Sequence, residues 1–298
     1  MRLSVIVAGV DLSAPSDFAA QRAASLALAN RAKLVLVHAT TDDAPLEHAD
    51  PAVLEQLGEV TAAMRVEIAR RLADHVIAIR ERGVDVELVS PEGAPGEVVP
   101  AVARDRGAQL ICVGTHGTTG ISRLLLGSVA TAIVRHASCD VLVCRGQDTG
   151  MFRRPLVATD FSPTAARALE HAAELAEPGA PIELVHAWQL PAGSWGASLL
   201  GQARFPWSSV RDAVLAAARV KADKLVADNA VLGHPLHVEL VQGPPATVIA
   251  GAAERAGYDL IAVGTHGHRG FRRLLLGSVC ESTIRHAPCS VLVVHAEQ

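Results

Sequence analysis

Residues Leu110–Cys144 read LICVGTHGTTGISRLLLGSVATAIVRHASCDVLVC, and residues Leu260–Val294 read LIAVGTHGHRGFRRLLLGSVCESTIRHAPCSVLVV. Twenty-two of these 35 positions are identical at an offset of 150. Each copy opens on a short Val/Ile/Leu run, passes a glycine-bracketed turn, enters a helical stretch at Gly-Ser, and closes on a second apolar run. A short apolar run, a helical pattern and another short apolar run form a strand–helix–strand crossover, which needs a parallel sheet.

The repeat extends outward in both directions. VAGVDLS at Val7–Ser13 matches VATDFS at Val157–Ser162, and VHA recurs at Val37–Ala39 and Val185–Ala187. The chain is therefore one unit written twice, with a boundary near Gln147–Arg154 and modules spanning residues 1–147 and 151–298. Predicted strands of the first half are Leu3–Val10, Lys33–His38, Val84–Val89, Leu110–Val113 and Val141–Cys144. Their lack of polar alternation predicts burial on both faces. Predicted helices are Asp17–Arg31, Val53–Arg82, Glu97–Arg106 and Ser128–His136. The second half repeats the strands near Pro155–Thr159, Ile182–His186, Leu236–Val241, Leu260–Val263 and Val291–Val294. Strands alternating with helices predict α/β modules, each an open parallel sheet with helices on both faces. Residues Gln189–Ser208, rich in Gly, Pro and Trp, read as an irregular excursion.

Composition narrows the function. Half of the 298 residues are hydrophobic and 19% are charged, which excludes a mainly disordered chain. A net charge of -4 and 3% aromatic residues argue against a nucleic-acid partner. No apolar run is long enough to span a membrane, and Met1–Val10 reads as a first strand and not as a signal peptide. Five cysteines without CxxC spacing fit reduced thiols and a cytoplasmic location.

In an open parallel sheet, ligands bind beyond the carboxyl ends of the strands. The residues there are Asp11 and Asp160 after the first strand, and Gly114-Thr115-His116-Gly117 and Gly264-Thr265-His266-Gly267 after the fourth. Nine residues on, Gly127-Ser128 and Gly277-Ser278 open a helix. Glycines allow close backbone approach to an anion, and the N–H groups of a helix start favour negative charge. Ser128 and Ser278 are expected to cap that helix or to donate to phosphate. Replacing Gly127 or Gly277 by Asp is expected to weaken binding without unfolding the module. Turn and cap roles alone would produce the same residues, so anion binding and plain turn chemistry both remain open here.

The pattern G-x-x-G-x9-G-[ST] after a fourth strand, with Asp after the first, resembles the ATP-binding type of the universal stress protein family. The closing strands HASCDVLVC and HAPCSVLVV are similar to that family's last strand, and the resemblance covers the chain as two tandem modules. It implies two five-stranded sheets of order 3-2-1-4-5, with ATP, AMP or ADP lying over the strand ends and Mg as an optional companion ion. It further implies that Asp11 and Asp160 touch the ribose, and that the backbone at Ala39 and Ala187 meets the adenine. Gly114, Gly117, Gly127, Ser128 and Val129 would hold the phosphates, as would Gly264, Gly267, Gly277, Ser278 and Val279. The family often carries a hydroxyl residue where this chain has Ala130 and Cys280, which removes one phosphate donor. It implies modules paired through their last strands within one chain, and a homodimer.

Competing signatures are missing. There is no GxxxxGK[ST] loop, no GxGxxG after the first strand and no SGGxDS loop. Thirteen histidines include no HExxH; His266 and His268 are the nearest approach to a metal pair, and a solvated loop explains them. His38 and His186 read as hydrogen-bonded structural residues, Cys139 and Cys289 as small buried apolar ones, and Arg269, Arg272 and Arg273 as a solvated strip. No catalytic residue and no metal ligand is assigned. The expected function is a stress-response nucleotide switch with at most slow hydrolysis or autophosphorylation. The alternatives are an enzyme that uses an adenine nucleotide to activate a substrate, and a degenerate scaffold binding another small ligand.

Overall fold

The computed structural model describes residues 3–40, 51–115, 127–146, 148–190, 207–265 and 276–296. The chain divides into two units, Met1–Gly150 and Met151–Gln298. In the first, β1 (Val5–Gly9), β2 (Lys33–Val37), β3 (Val86–Val89), β4 (Leu110–Gly114) and β5 (Asp140–Cys144) alternate with four helices. These are α1 (Ala14–Asn30), α2 (Pro51–Glu81), α3 (Pro95–Asp105) and α4 (Ser128–His136). All pairings are parallel, in the order β3-β2-β1-β4-β5. The second unit contains β6 (Pro155–Ala158), α5 (Pro163–Leu175), β7 (Ile182–Trp188), α6 (Trp207–Asp228), β8 (Leu236–Gln242), α7 (Pro245–Ala256), β9 (Leu260–Gly264), α8 (Ser278–His286) and β10 (Ser290–Val294). Its order is β8-β7-β6-β9-β10, again parallel. Numbered within each module, both sheets are 3-2-1-4-5.

Helices lie on both faces, as two close approaches show. A Cβ on Gly114 would meet the Pro15 backbone of α1 at 2.7 Å, whereas one on Gly9 would meet Val99 of α3. On the α3 side, a Cβ on Gly96 would lie 2.6 Å from Ala132 of α4, so the glycine lets two helices close together. The helices start where local chemistry dictates. Ser13 and Ser162 accept hydrogen bonds from the backbone N–H of Ser16 and Ala165, and a proline follows at the first or second helical position. The first strands are held at their other end. Gln109 accepts from the N–H groups of Ser4 and Val5, and Asp259, at the matching position, accepts from those of Arg153 and Arg154.

Three expectations change. Strands β1, β4, β5, β9 and β10 are buried as expected, but β8 alternates half-buried and exposed residues along its length. It is the edge strand of its module, where one flank has no neighbouring strand to cover it. Proline opens α2 at Pro51 and α3 at Pro95, two residues before the predicted starts, because a missing N–H costs nothing in a first turn. The excursion predicted over Gln189–Ser208 is shorter at its end, since Trp207 and Ser208 already belong to α6; residues 191–206 lie outside the described residues. Among the described residues no helix is long and apolar enough to cross a membrane.

Candidate functional site

Both first strands end in the same turn. The Asp11 carboxylate accepts from the Ser13 N–H at 3.0 Å, and the Asp160 carboxylate accepts from the Ser162 N–H at 2.9 Å. The residue between adopts a left-handed backbone, Leu12 at φ 61° and Phe161 at φ 63°. That conformation is unfavourable for a large side chain, and the Asp–Ser bond compensates for it. One oxygen of Asp11 is thereby used, and the other takes no bond among the described residues. Asp11 is exposed and Asp160 half-buried.

Strand register brings the other predicted residues to the same edge. Gly9 pairs with Val37 and Ala8 with Cys112, so two or three residues on, Asp11 stands level with Ala39 and with Thr115. In the second module Ala158 pairs with Val185 and Val157 with Ala262, which sets Asp160 level with Ala187 and Thr265. The backbone N–H and C=O of Ala39 take no hydrogen bond among the described residues. The Nδ1 atoms of His38 and His186 bond the carbonyls of Val10 and Thr159 at 2.8 Å, as their structural reading expected.

The fourth-strand tip is fastened to its helix by a backbone bond. The Gly127 N–H donates to the Thr115 carbonyl at 2.7 Å, and the Gly277 N–H to the Thr265 carbonyl at 3.0 Å. Gly127 and Gly277, and not the serines, are the N-cap residues, and neither helix start has a side-chain cap. Ser128 and Ser278 are the first helical residues, with exposed side chains. The capping role expected of them is therefore corrected: the N-cap position belongs to the glycines, and the two serines, one residue further on, are exposed. The glycines have a structural reason of their own. A Cβ on Gly277 would lie 2.8 Å from the Thr265 carbonyl oxygen, so an Asp there would disturb the junction itself. The next three N–H groups, of Ser128, Val129 and Ala130, have no intrahelical acceptor. Ala130 and Cys280 are buried, so the position where the family often has a hydroxyl faces inward.

The structure thus brings Asp11, Ala39, Gly114, Gly127, Ser128 and Val129 to one edge, and Asp160, Ala187, Gly264, Gly277, Ser278 and Val279 to the corresponding edge. His116, Gly117, His266, Gly267, His268, Arg269, Arg272 and Arg273 lie outside the described residues. Sequence reasoning missed Thr115 and Thr265 as anchors of the helix start, although both stand in the repeated VGTHG string. It also passed over Trp188, which is buried where the first module has exposed Thr40, and whose indole N–H has no partner among the described residues. Among the described residues no group of three or more His, Cys, Asp or Glu could hold a metal ion.

The universal stress protein family model matches residues 3–145 and again residues 151–295. A universal stress protein of Mycolicibacterium smegmatis is 28% identical over 308 residues, covering 97% of this chain and 96% of its own. The crystal structure of a universal stress protein from Archaeoglobus fulgidus matches with a TM-score of 0.67 at 21% identity, over 99% of each chain. A functionally unknown protein from Pseudomonas aeruginosa matches with a TM-score of 0.67 at 17% identity, over 99% of this chain and 93% of its own. The two structural likenesses are likenesses of fold.

Proposed function

The chain belongs to the universal stress protein family through both of its modules, and from that premise we propose that each module binds an adenine nucleotide across the tips of its first, second and fourth strands. Asp11 and Asp160 accept hydrogen bonds from the ribose hydroxyls. The backbone at Ala39 and Ala187 meets the edge of the adenine. Gly114, Gly117, Gly127, Ser128 and Val129 hold the phosphates in the first module, and Gly264, Gly267, Gly277, Ser278 and Val279 in the second. The N–H groups of Ser128 and Val129 supply the direct bonds, with Gly127 setting the helix start.

One observation carries this reading. A carboxylate in a fixed turn and an unpaired stretch of backbone stand level on the first and second strands, and the fourth-strand tip beside them is bonded to a helix start with free N–H groups. These are the three chemistries that a ribose, a purine edge and a phosphate chain require. They fit ATP, ADP or AMP, with Mg accompanying a polyphosphate. The protein acts as a cytoplasmic stress-response switch with at most slow hydrolysis or autophosphorylation, and as a homodimer.

Calorimetric titration of the full chain with ATP, ADP and AMP, with and without Mg, tests the proposal, together with mass spectrometry of any ligand released on denaturation. Binding of at least one adenine nucleotide, lost in the Asp11→Ala/Asp160→Ala double variant, is expected. No heat with any nucleotide, or unchanged affinity in the folded double variant, would remove the site. Sedimentation showing only monomer would remove the homodimer.

A further inference from the structure

The first module places two cysteines on one face of adjacent strands, where the second has none. Cys112 lies in the middle of β4 and Cys144 is the last residue of β5. The register pairs Cys112 with Leu142 and Gly114 with Cys144. Side chains alternate along a strand, so both cysteines share the sheet face on which Gly114 approaches Pro15. Both are buried, on adjacent strands and on the same face of the sheet. The Cys144 thiol is also 3.7 Å from the Leu142 carbonyl. At the matching positions the second module has Ala262 and Val294.

Spacing and ligand number decide what such a pair can hold. Diagonal neighbours on adjacent strands have Cα atoms roughly 7–8 Å apart, and a disulfide beyond about 7 Å requires backbone movement. An ion between the sulfurs lengthens the bridge and removes that strain. Zinc closes its structural sites with four ligands, and among the described residues no group of three candidate ligands forms. Cu(I) is soft, selects thiolate sulfur and is satisfied by two ligands in a line. The resulting complex is anionic. The Arg22 guanidinium, buried on α1, acts on Cys112 in the direction that favours the thiolate.

We propose that Cys112 and Cys144 form a two-coordinate Cu(I) site inside the first module. Binding replaces two S–H bonds by two Cu–S bonds and releases two protons to solvent; no electron is transferred. Protons compete with the ion for both sulfurs, so affinity rises with pH.

The test uses the reduced full chain, without oxygen, and Cu(I) buffered by bicinchoninate. The intact chain is expected to withdraw a single Cu(I) and to gain near-ultraviolet sulfur-to-copper absorption. The Cys112→Ala/Cys144→Val variant, which installs the second module's residues, should lose both signals while melting cooperatively. A Cys139→Ala/Cys280→Ala/Cys289→Ala variant, whose only thiols are the proposed pair, should keep both, and keeps the test decisive if the first variant fails to fold. Withdrawal of no Cu(I) by the intact chain, retention by the first variant or loss by the second would overturn the site.

Discussion

At the tips of their first strands the two modules are nearly superimposable in chemistry, whereas at their free sheet edges they share little. The Asp–Ser turn has the same bond and the same left-handed middle residue in both, although that residue is Leu12 in one and Phe161 in the other. The histidine bond to the first-strand carbonyl measures 2.8 Å in each. At the edge, β3 has four residues and β8 seven, while α2 has 31 and α6 has 22. Tip geometry depends on single side chains bonding single backbone groups, and few substitutions preserve such bonds. An edge needs only enough apolar cover on one side and tolerates changes in length. The duplicated halves therefore separate what the site demands from what the fold merely permits.

The largest expected effect attacks the first module's strand tip. Gly114→Ala would push a Cβ to 2.7 Å from the Pro15 carbonyl carbon and 2.8 Å from its oxygen, both backbone atoms. Overpacking of this kind costs about 1–3 kcal/mol. Denaturant melts should show a matching loss, with a first transition moving alone if the modules unfold separately. An unchanged melt would mean that α1 shifts freely against β4.

Comparable in size, but felt in binding and not in folding, is the ribose contact. Asp11→Ala and Asp160→Ala should each weaken ATP binding in their own module by about 1.5–3 kcal/mol, the range for hydrogen bonds to charged groups, with the greater loss from Asp11. Titration of each single variant checks the ranking. A larger loss from Asp160 would reverse it, and equal losses would make the tips as alike in function as they are in geometry.

Much of the architecture was legible because burial imposes a pattern. The runs at β4 and β9 and the helix Ser128–His136 come through with their bounds nearly intact, since the interior admits only apolar residues there. The turn carboxylates and the structural histidines were legible because the same residues recur after the same strands. Other features were not. A glycine before a helix reads equally as room for a ligand and as room for a carbonyl, and only the Thr265 oxygen 2.8 Å from the Gly277 Cβ position distinguishes them. The Leu236–Val241 run reads as a core strand, because composition does not tell which strand ends the sheet. Trp188 continues β7 where β2 has already ended, a difference of packing that its neighbours in sequence do not announce.

A smaller effect separates the two helix starts. Glu281 stands in the first turn of α8 where α4 has Thr131, and its carboxylate pairs with Arg285 at 3.3 Å. The pair draws the charge along the helix, away from the free N–H groups, so repulsion of a phosphate is blunted but not removed. Glu281→Thr should tighten ATP binding in the second module, and Thr131→Glu should weaken it in the first. Each change is expected to be about 0.3–1 kcal/mol and to shrink at high salt. The opposite sign in either variant would show that the loop arginines, and not this carboxylate, set the difference.

The smallest effect lies at the sheet edge and should appear in the first module alone. Glu87 on β3 is gripped by the Arg106 guanidinium through both oxygens at 2.7 Å, and by the Lys33 ammonium at 2.6 Å. The matching positions in the second module are His237, Ala256 and Pro181, so nothing equivalent forms there. The Arg106 hydrogen bonds first, and then Lys33, lower the Glu87 pKa from 4.5 to about 2. A carboxylate whose pKa is lower in the folded state contributes stability above its unfolded value and loses it as the pH falls through the folded one. The contribution is therefore complete above pH 4.5 and fades toward pH 2. Solvent reaches all three side chains, which keeps it small. Glu87→Gln should lower the urea midpoint slightly at neutral pH, and the two proteins should converge as the pH approaches about 2. A gap that persists there would mean that Glu87 acts by packing its stem against β2 and not by its charge. No gap at any pH would mean that the three charges exchange solvent for one another without gain.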